Sequence, residues 1–174
     1  MVIKSKKNYV KFGVSPLGVW RSNTVDPEGS DSTAAGSYDT LYADTRLWVR
    51  ENWLDYIAPQ MYWELGYKPA PYENLLKFWV NAVKDSPKVH LYIGQAAYRV
   101  GNSGAWRDSS QIPRQLELCK NYNAVKGHIF YNIDSLIKNP LSLRDKLIST
   151  FYHVTARIPD MPWLGGQRSA YVSS

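Results

Sequence analysis

The sequence of 174 residues has few of the features that mark several common protein classes. Its single cysteine, Cys119, excludes an internal disulfide, and we expect this residue in the core face of a helix. No apolar run approaches the length of a transmembrane helix, and residues 1–7 lack the hydrophobic region of a signal peptide. We therefore expect no membrane span and no export signal in this segment, whatever a longer parent protein carries.

Motifs for nucleotides, metals and activated nucleophiles are also missing. There is no glycine-rich phosphate loop, and Ser15 lacks the setting of a nucleophile elbow. The histidines have no metal-ligand spacing. Two of them, His90 and His128, lie in or at the start of predicted strands, where we expect hydrogen-bonded structural histidines. The sequence thus predicts neither a metal nor a cofactor.

The positive charge does not indicate a nucleic-acid partner. The net charge is +6, but four of the 21 basic residues lie within the first eleven positions: Lys4, Lys6, Lys7 and Lys11. No alternation of aromatic and basic residues follows them, as a nucleic-acid surface would require. We interpret residues 1–9 as a solvated basic leader.

Aromatic residues are plentiful, and tryptophan and tyrosine far outnumber phenylalanine. Seven Trp and thirteen Tyr stand against four Phe. Indole and phenol rings can stack on sugar faces while their polar atoms form hydrogen bonds, whereas the alternative is ordinary packing in the core and at its rim. This composition favours a carbohydrate ligand.

Four apolar runs end in polar or aromatic residues: residues 10–16, 56–63, 89–98 and 127–132. Continuous apolar runs are typical of parallel strands buried on both faces. Polar groups at the carboxyl ends of such strands are typical of the ligand face of an α/β barrel. The runs therefore predict a parallel sheet whose carboxyl edge carries the site.

An amphipathic segment follows each run: residues 38–52, 72–83, 112–122 and 143–152. Strands that alternate with helices predict an α/β fold. A closed (β/α)8 TIM barrel has twice as many units and roughly 250 residues, so residues 10–158 are predicted to form a half-barrel. Residues 159–174 are aperiodic and predict a strap or linker. An open sheet leaves two unpaired edges, so we expect a homodimer or a missing N-terminal half-barrel as partner.

The candidate catalytic carboxylates are few. Glycoside hydrolysis generally uses two carboxyl groups that flank the scissile bond. Glu64 and Asp134 follow predicted strand ends and are the candidate pair, with solvated loop residues as the alternative. Asp55 begins a predicted strand, so we expect it at the opposite end of the sheet, where residues serve stability.

Ten residues near predicted strand ends form the candidate substrate-binding set: Ser15, Trp20, Arg21, Gln60, Tyr62, Trp63, Gln95, Tyr98, Trp106 and Asn132. Amides suit hydroxyl and N-acetyl groups, and their alternative role is to tie neighbouring loops together. The rings suit stacking, and Trp106 lies in a glycine-rich loop suited to a mobile subsite. Arg21 suits a carboxylate such as a lactyl group, with a surface ion pair as the alternative.

Four strings resemble the bacterial glycosyl hydrolase-like family ten: residues 11–21 (KFGVSPLGVWR), 38–45 (YDTLYADT), 53–63 (WLDYIAPQMYW) and 91–98 (LYIGQAAY). The resemblance implies a (β/α)8 barrel. It also implies an exported cell-envelope glycosidase acting on a carbohydrate polymer, the peptidoglycan-type glycan.

One departure from the family matters for activity. In the family, the string like that at residues 11–16 belongs to the fifth strand, and the strand before it ends in paired aspartates. This chain has no such pair. The resemblance thus implies strands five to eight and a segment that is inactive alone. The open alternatives are a non-catalytic carbohydrate-binding module and a structural fragment without a ligand.

Overall fold

The structure, a computed structural model, describes residues 2–164 and contains one parallel sheet. Its strands are β1 (Gly13–Val14), β2 (Tyr56–Ile57), β3 (His90–Gln95) and β4 (Val125–Phe130). They lie side by side in chain order, and every neighbouring pair is parallel. The prediction of an α/β fold with a four-stranded parallel sheet is confirmed.

Helices connect and flank these strands: α1 (Val2–Lys6), α2 (Ser37–Leu41), α3 (Thr45–Arg50), α4 (Tyr72–Val83), α5 (Gln111–Lys120), α6 (Ile133–Lys138) and α7 (Leu143–Thr150). Three short 3₁₀ turns lie at Ala97–Arg99, Gly104–Arg107 and Pro140–Ser142. Helix α4 has the predicted bounds, and α5 and α7 overlap the predicted segments. These helices have apolar stripes, so the helical spacing of their apolar residues is enough to locate them in the sequence.

The predicted helix over residues 38–52 was wrong, because the chain forms two helices there. Tyr42 ends α2 in the left-handed conformation, with φ 52°. Asp44 then caps α3, and its Oδ1 accepts a hydrogen bond from the Leu47 amide at 3.0 Å. Helix α6 was not predicted. Asn132 is its N-cap, and the Asn132 side chain accepts a hydrogen bond from the Ser135 amide at 3.1 Å.

The core fills the space between the sheet and the helices. On the sheet side it consists of buried strand residues such as Ile57, Leu91 and Ile93, and helix α4 packs Leu75 and Trp79 against them. Full burial of each such aliphatic side chain contributes about 1.5–3 kcal/mol. A second cluster joins α5 and α7 beside the end of β3. The expectation that Cys119 lies in a helix core is confirmed.

The opposite face of the sheet is less covered. Tyr56 and Tyr92 alternate with the buried residues of their strands, and their rings meet edge to face with centroids 5.8 Å apart. Both rings are half-buried, and Ile129 of β4 is exposed. Parallel sheets are ordinarily covered on both faces. This inner face therefore has room for further packing partners.

At the amino end of the sheet, Asp55 joins three distant segments. Its buried carboxylate accepts from the Phe12 amide at 2.8 Å and from the Trp163 indole at 2.9 Å. The Lys4 ammonium pairs with the same carboxylate. Asp55 thus lies at the structural end of the sheet, as predicted. The leader is not fully solvated, because α1 forms within it and Lys4 is held by Asp55.

The segment after α7 returns to this end of the sheet. The Trp163 ring packs edge-on against His90 with centroids 5.0 Å apart. His90 was predicted to be a hydrogen-bonded structural histidine. This prediction was wrong for Nδ1, which is buried and has no hydrogen-bond partner within residues 2–164. His128 has a hydrogen bond between Nδ1 and the Tyr152 hydroxyl at 2.9 Å, but its buried Nε2 also has no partner within residues 2–164. The linker predicted after residue 164 lies outside the described residues.

Across residues 2–164, no helix combines the length and apolarity needed to cross a bilayer. In the same part of the chain, no group of three or more His, Cys, Asp or Glu side chains is placed to hold a metal ion.

Candidate functional site

The carboxyl edge of the sheet gathers the chemically distinctive side chains. The segment after β2 supplies Tyr62 and Glu64, the turn after β3 supplies Tyr98 and Arg99, and Tyr131 follows β4. Because all the strands are parallel, their carboxyl ends open toward the same edge. Residues far apart in sequence thereby meet in one place.

Three phenol rings at this edge form what we call the tyrosine cluster: Tyr62, Tyr98 and Tyr131. Tyr62 lies 5.8 Å from Tyr98 in an edge-to-face contact and 6.0 Å from Tyr131 in a stacked one. Tyr98 and Tyr131 also meet edge to face at 5.8 Å. Burial, and then the neighbouring phenols, raises the pKa of Tyr62. The hydroxyl groups of these rings can both donate and accept hydrogen bonds.

Two members of the tyrosine cluster are accessible. Tyr98 is 40% exposed and Tyr131 is 54% exposed, whereas Tyr62 packs beneath them. Gly94 allows the chain after β2 to approach β3 closely, because an added Cβ would lie 2.8 Å from the Pro59 carbonyl oxygen. The sequence indicated Tyr62 and Tyr98 but missed Tyr131. The signal was available, since Tyr131 also directly follows an apolar strand.

A charged group adjoins the tyrosine cluster. The buried Trp106 donates its indole N–H to Glu64 Oε2 at 3.0 Å, and Arg99 Nη1 lies 3.9 Å from the same oxygen. Arg99 Nε donates to the Tyr98 hydroxyl at 3.3 Å. The predicted mobile subsite role of Trp106 was wrong, because its ring is buried and its indole needs a polar partner. Trp106 instead fixes Glu64.

Gln60 and Ser15 connect two loops at the first strands. Gln60 Nε2 donates to the Ser15 carbonyl oxygen at 2.8 Å. Ser15 Oγ donates to the Ala58 carbonyl oxygen at 2.8 Å. These contacts correspond to the loop-tying alternative for the amides, although both side chains remain near the surface.

Gln95 does not face the site. It is fully buried, and its Nε2 donates to the Tyr72 hydroxyl at 2.9 Å on the helix side of the sheet. Cys119 Sγ lies 3.7 Å from the same hydroxyl, and burial raises the pKa of its thiol to about 11. The prediction that Gln95 binds substrate was wrong because strand alternation turns it toward α4, while Gly94 faces the tyrosine cluster.

The side chains of Trp20 and Arg21 also contact other residues instead of the tyrosine cluster. The Trp20 ring is buried and stacks on Phe78 with centroids 6.0 Å apart. Arg21 donates to both oxygens of Asp39, at 3.0 and 3.1 Å, and also contacts Asp26. Asp39 is the main reason that the pKa of Arg21 is raised. Trp20 is therefore a core residue, and Arg21 forms the ion pairs that were its alternative.

The remaining candidates have mainly structural contacts. Trp63 is half-buried against the core, and its carbonyl oxygen accepts from Gln115 at 3.0 Å. Asn132 caps α6. Asp134 is exposed in the first turn of α6 and has no hydrogen bond or ion pair within residues 2–164. Within residues 2–164, Glu64 is engaged by Trp106 and Arg99, and no hydrogen bond or ion pair joins it to Asp134.

A parallel α/β sheet with phenols, an indole and a paired carboxylate at its carboxyl edge is consistent with a domain of the α/β-barrel type, in which ligands bind at that edge. Residues 1–110 match the family Glycosyl hydrolase-like 10, and the chain belongs to that family. The resemblance seen in the four sequence strings is confirmed.

Two relatives show how much of the protein this chain represents. Glycosyl hydrolase YngK of Bacillus subtilis (strain 168) is 48% identical over 165 residues, which cover 93% of this chain and 32% of the relative. Glycosyl hydrolase DigH of Escherichia coli (strain K12) is 44% identical over 143 residues, which cover 78% of this chain and 32% of the relative. The chain therefore spans only about a third of the length of these curated relatives.

Proposed function

We propose that the chain is the second half of a (β/α)8 barrel from an exported glycoside hydrolase that acts on a peptidoglycan-type glycan. Family membership supports the hydrolase class. The four parallel strands in chain order and the partly covered inner face support a barrel segment. The observation that carries the proposal is the tyrosine cluster beside Glu64 and Arg99, because α/β barrels bind substrates at this edge.

The tyrosine cluster suits a sugar chain. The exposed rings of Tyr98 and Tyr131 offer apolar faces for stacking on pyranose rings, and their hydroxyls reach sugar hydroxyl groups. Tyr62 supports both rings from below. The site thereby combines a firm platform with accessible polar atoms, which orientation of a glycan requires.

The chain by itself binds glycans without cleaving them at a useful rate. Hydrolysis needs two carboxyl groups across the scissile bond, and this sequence lacks the paired aspartates that the family resemblance implies. Glu64 Oε2 is occupied by the Trp106 indole. The family's paired aspartates, which belong to a preceding strand, supply the acid chemistry in the whole enzyme. Loss of a general acid alone removes about two to four orders of magnitude in rate.

A non-catalytic carbohydrate-binding module is the second candidate. The same observation favours it, because phenols and an arginine orient sugars but do not protonate a leaving oxygen. The two candidates differ in what the rest of the protein does with the bound glycan. Both require that this chain binds glycan at the tyrosine cluster.

Calorimetric titration of the purified chain with soluble glycan strands tests this site. We expect saturable binding that Tyr131→Ala weakens by roughly tenfold, since the variant removes an aromatic stacking face. Tyr9→Ala is the matched control, because Tyr9 is an exposed tyrosine that precedes β1 at the other end of the sheet. Absence of binding would leave a structural fragment, and binding unaffected by Tyr131→Ala would place the site elsewhere.

A further inference from the structure

Arg99 differs from several arginines of the described residues in how its charge is compensated. Four others hold a carboxylate oxygen within hydrogen-bond distance: Arg21 with Asp39 at 3.0 Å, Arg46 with Glu28 at 2.9 Å, Arg114 with Asp108 at 2.7 Å and Arg144 with Asp145 at 2.9 Å. Arg99 Nη1 lies 3.9 Å from Glu64 Oε2, which is too far for a hydrogen bond. The Arg99 guanidinium therefore remains available to another anion.

The guanidinium is nevertheless held in place. Its Cζ lies 5.9 Å from the centroid of the Tyr98 ring and 5.8 Å from that of the Trp106 ring. Both rings attract the cation through their π faces. The Nε–H is engaged by the Tyr98 hydroxyl, and Glu64 sits on the Nη1 side, fixed by Trp106. Such support lowers the entropy lost when a ligand binds.

The free side of this guanidinium lies next to the tyrosine cluster. The Arg99 side chain is 38% exposed, and the Nε–Tyr98 contact is its one side-chain hydrogen bond within residues 2–164. Tyr98 belongs to the tyrosine cluster, and its ring also contacts the Arg99 guanidinium. A sugar stacked on the cluster would therefore present its substituents to the guanidinium.

We propose that Arg99 binds the carboxylate of an acidic amino sugar, so that the site at the tyrosine cluster selects carboxylate-bearing glycans over neutral ones. A guanidinium pairs with a carboxylate through two parallel hydrogen bonds, which gives both strength and orientation. Arg99 thus takes the role that the sequence assigned to Arg21, whose donors are used by Asp39 and Asp26. This inference rests on the proposed function, because it names a group of the same substrate.

The test compares two probes on the purified chain by calorimetric titration at low salt. One probe is glycan strands of alternating N-acetylglucosamine and N-acetylmuramic acid with free lactyl carboxylates. The other is the same strands with those carboxylates reduced to alcohols. We expect the chain to bind the carboxylate strands roughly tenfold more tightly, as for a charge-assisted hydrogen bond. Arg99→Gln abolishes this difference, and Arg99→Lys retains part of it.

Arg114→Gln is the matched control, since Arg114 is a half-exposed arginine of α5 that pairs with Asp108. It should keep the full preference. Circular dichroism establishes that each variant is folded, and Arg99→Lys serves as the test if Arg99→Gln unfolds. Equal binding of both probes by the unaltered chain, or an undiminished preference in either Arg99→Gln or Arg99→Lys, overturns the role of Arg99 alone. Binding of neither probe overturns the proposed function as well.

Discussion

At the residue scale, Trp106 supports the charged part of the site. Its buried indole is the hydrogen-bond donor that fixes Glu64 Oε2, and its ring faces Arg99. Glu64 in turn limits where the Arg99 guanidinium can lie. Removal of one N–H group should therefore affect both stability and binding.

Trp106→Phe keeps an aromatic ring but removes the donor to Glu64. We expect a loss of about 1 kcal/mol in the free energy of unfolding, as for one intramolecular hydrogen bond, together with weaker binding of carboxylate glycans. Urea unfolding measures the first effect and calorimetry the second. Trp53→Phe is the control, because Trp53 is half-exposed and has no indole hydrogen bond within residues 2–164. Equal stability of Trp106→Phe and the unaltered chain would show that the contact is unimportant.

His128 makes the stability depend on pH. Burial lowers the pKa of its imidazole from 6.5 to about 4. Between these two values the unfolded chain binds more protons than the folded chain, so the free energy of unfolding rises with pH. The contribution of neutral His128 is complete above pH 6.5 and is lost as the pH falls toward about 4.

His128→Asn tests this pH dependence, since it keeps a polar atom for Tyr152 but cannot titrate. We expect the variant to lose less stability on acidification than the unaltered chain. Urea unfolding at several pH values measures both slopes. His90, whose pKa is also lowered by burial, contributes to both proteins alike. Parallel slopes would contradict the account of His128.

At the scale of secondary structure elements, Asp55 connects α1, the chain before β1 and the segment after α7. Its carboxylate holds Lys4, the Phe12 amide and Trp163 at once. Replacement of a buried carboxylate that holds several donors is costly, because the donors then lose their partner.

Asp55→Asn should lower the free energy of unfolding by about 2 kcal/mol, since the amide cannot satisfy all three donors. Its effect should also appear as faster proteolysis of both chain ends, as each is released from the sheet. Asp85→Asn is the control, because Asp85 is exposed and unpaired within the described residues. Unchanged unfolding and proteolysis in Asp55→Asn would contradict the proposal that Asp55 holds these three segments together.

The strands could be predicted from their continuous apolar runs, and the long helices from the helical period of their apolar residues, as the match of α4 to residues 72–83 illustrates. The break between α2 and α3 could not, because a tyrosine in the left-handed conformation at position 42 has no reliable sequence signal. The position of Tyr62 and Tyr98 at the carboxyl edge of the sheet could be predicted, because both residues follow predicted strands. The position of Gln95 was predicted wrongly, because a shift of one residue along a strand moves a side chain to the opposite face of the sheet.

At the scale of the whole molecule, apolar side chains are exposed at both edges of the sheet. On the β1 side, a cleft of about 540 Å³ is lined by Phe12, Val14, Trp48, Trp53 and Leu54. On the β4 side, Ile133 and Ile137 are 66% and 67% exposed, and they lie one turn apart on α6. Unpaired strand edges with apolar flanks favour association.

We expect the isolated chain to form a dimer through these edges. The double variant Ile133→Glu and Ile137→Glu should shift it toward monomer, because burial of the new charges in an interface is costly. Light scattering over a dilution series measures the change. Val25→Glu is the control, since Val25 is an exposed apolar residue of the loop after β1. A cooperatively melting monomer at low concentration would contradict the prediction.

The central claim is that this chain holds a glycan at its carboxyl edge but lacks the acids that cleave it. Release of new reducing ends from peptidoglycan glycan strands by purified residues 1–174 tests this claim most directly. The account predicts no release above the uncatalysed background, although the same strands bind saturably. Measurable turnover that Glu64→Gln abolishes would contradict it, and would identify Glu64 as the general acid.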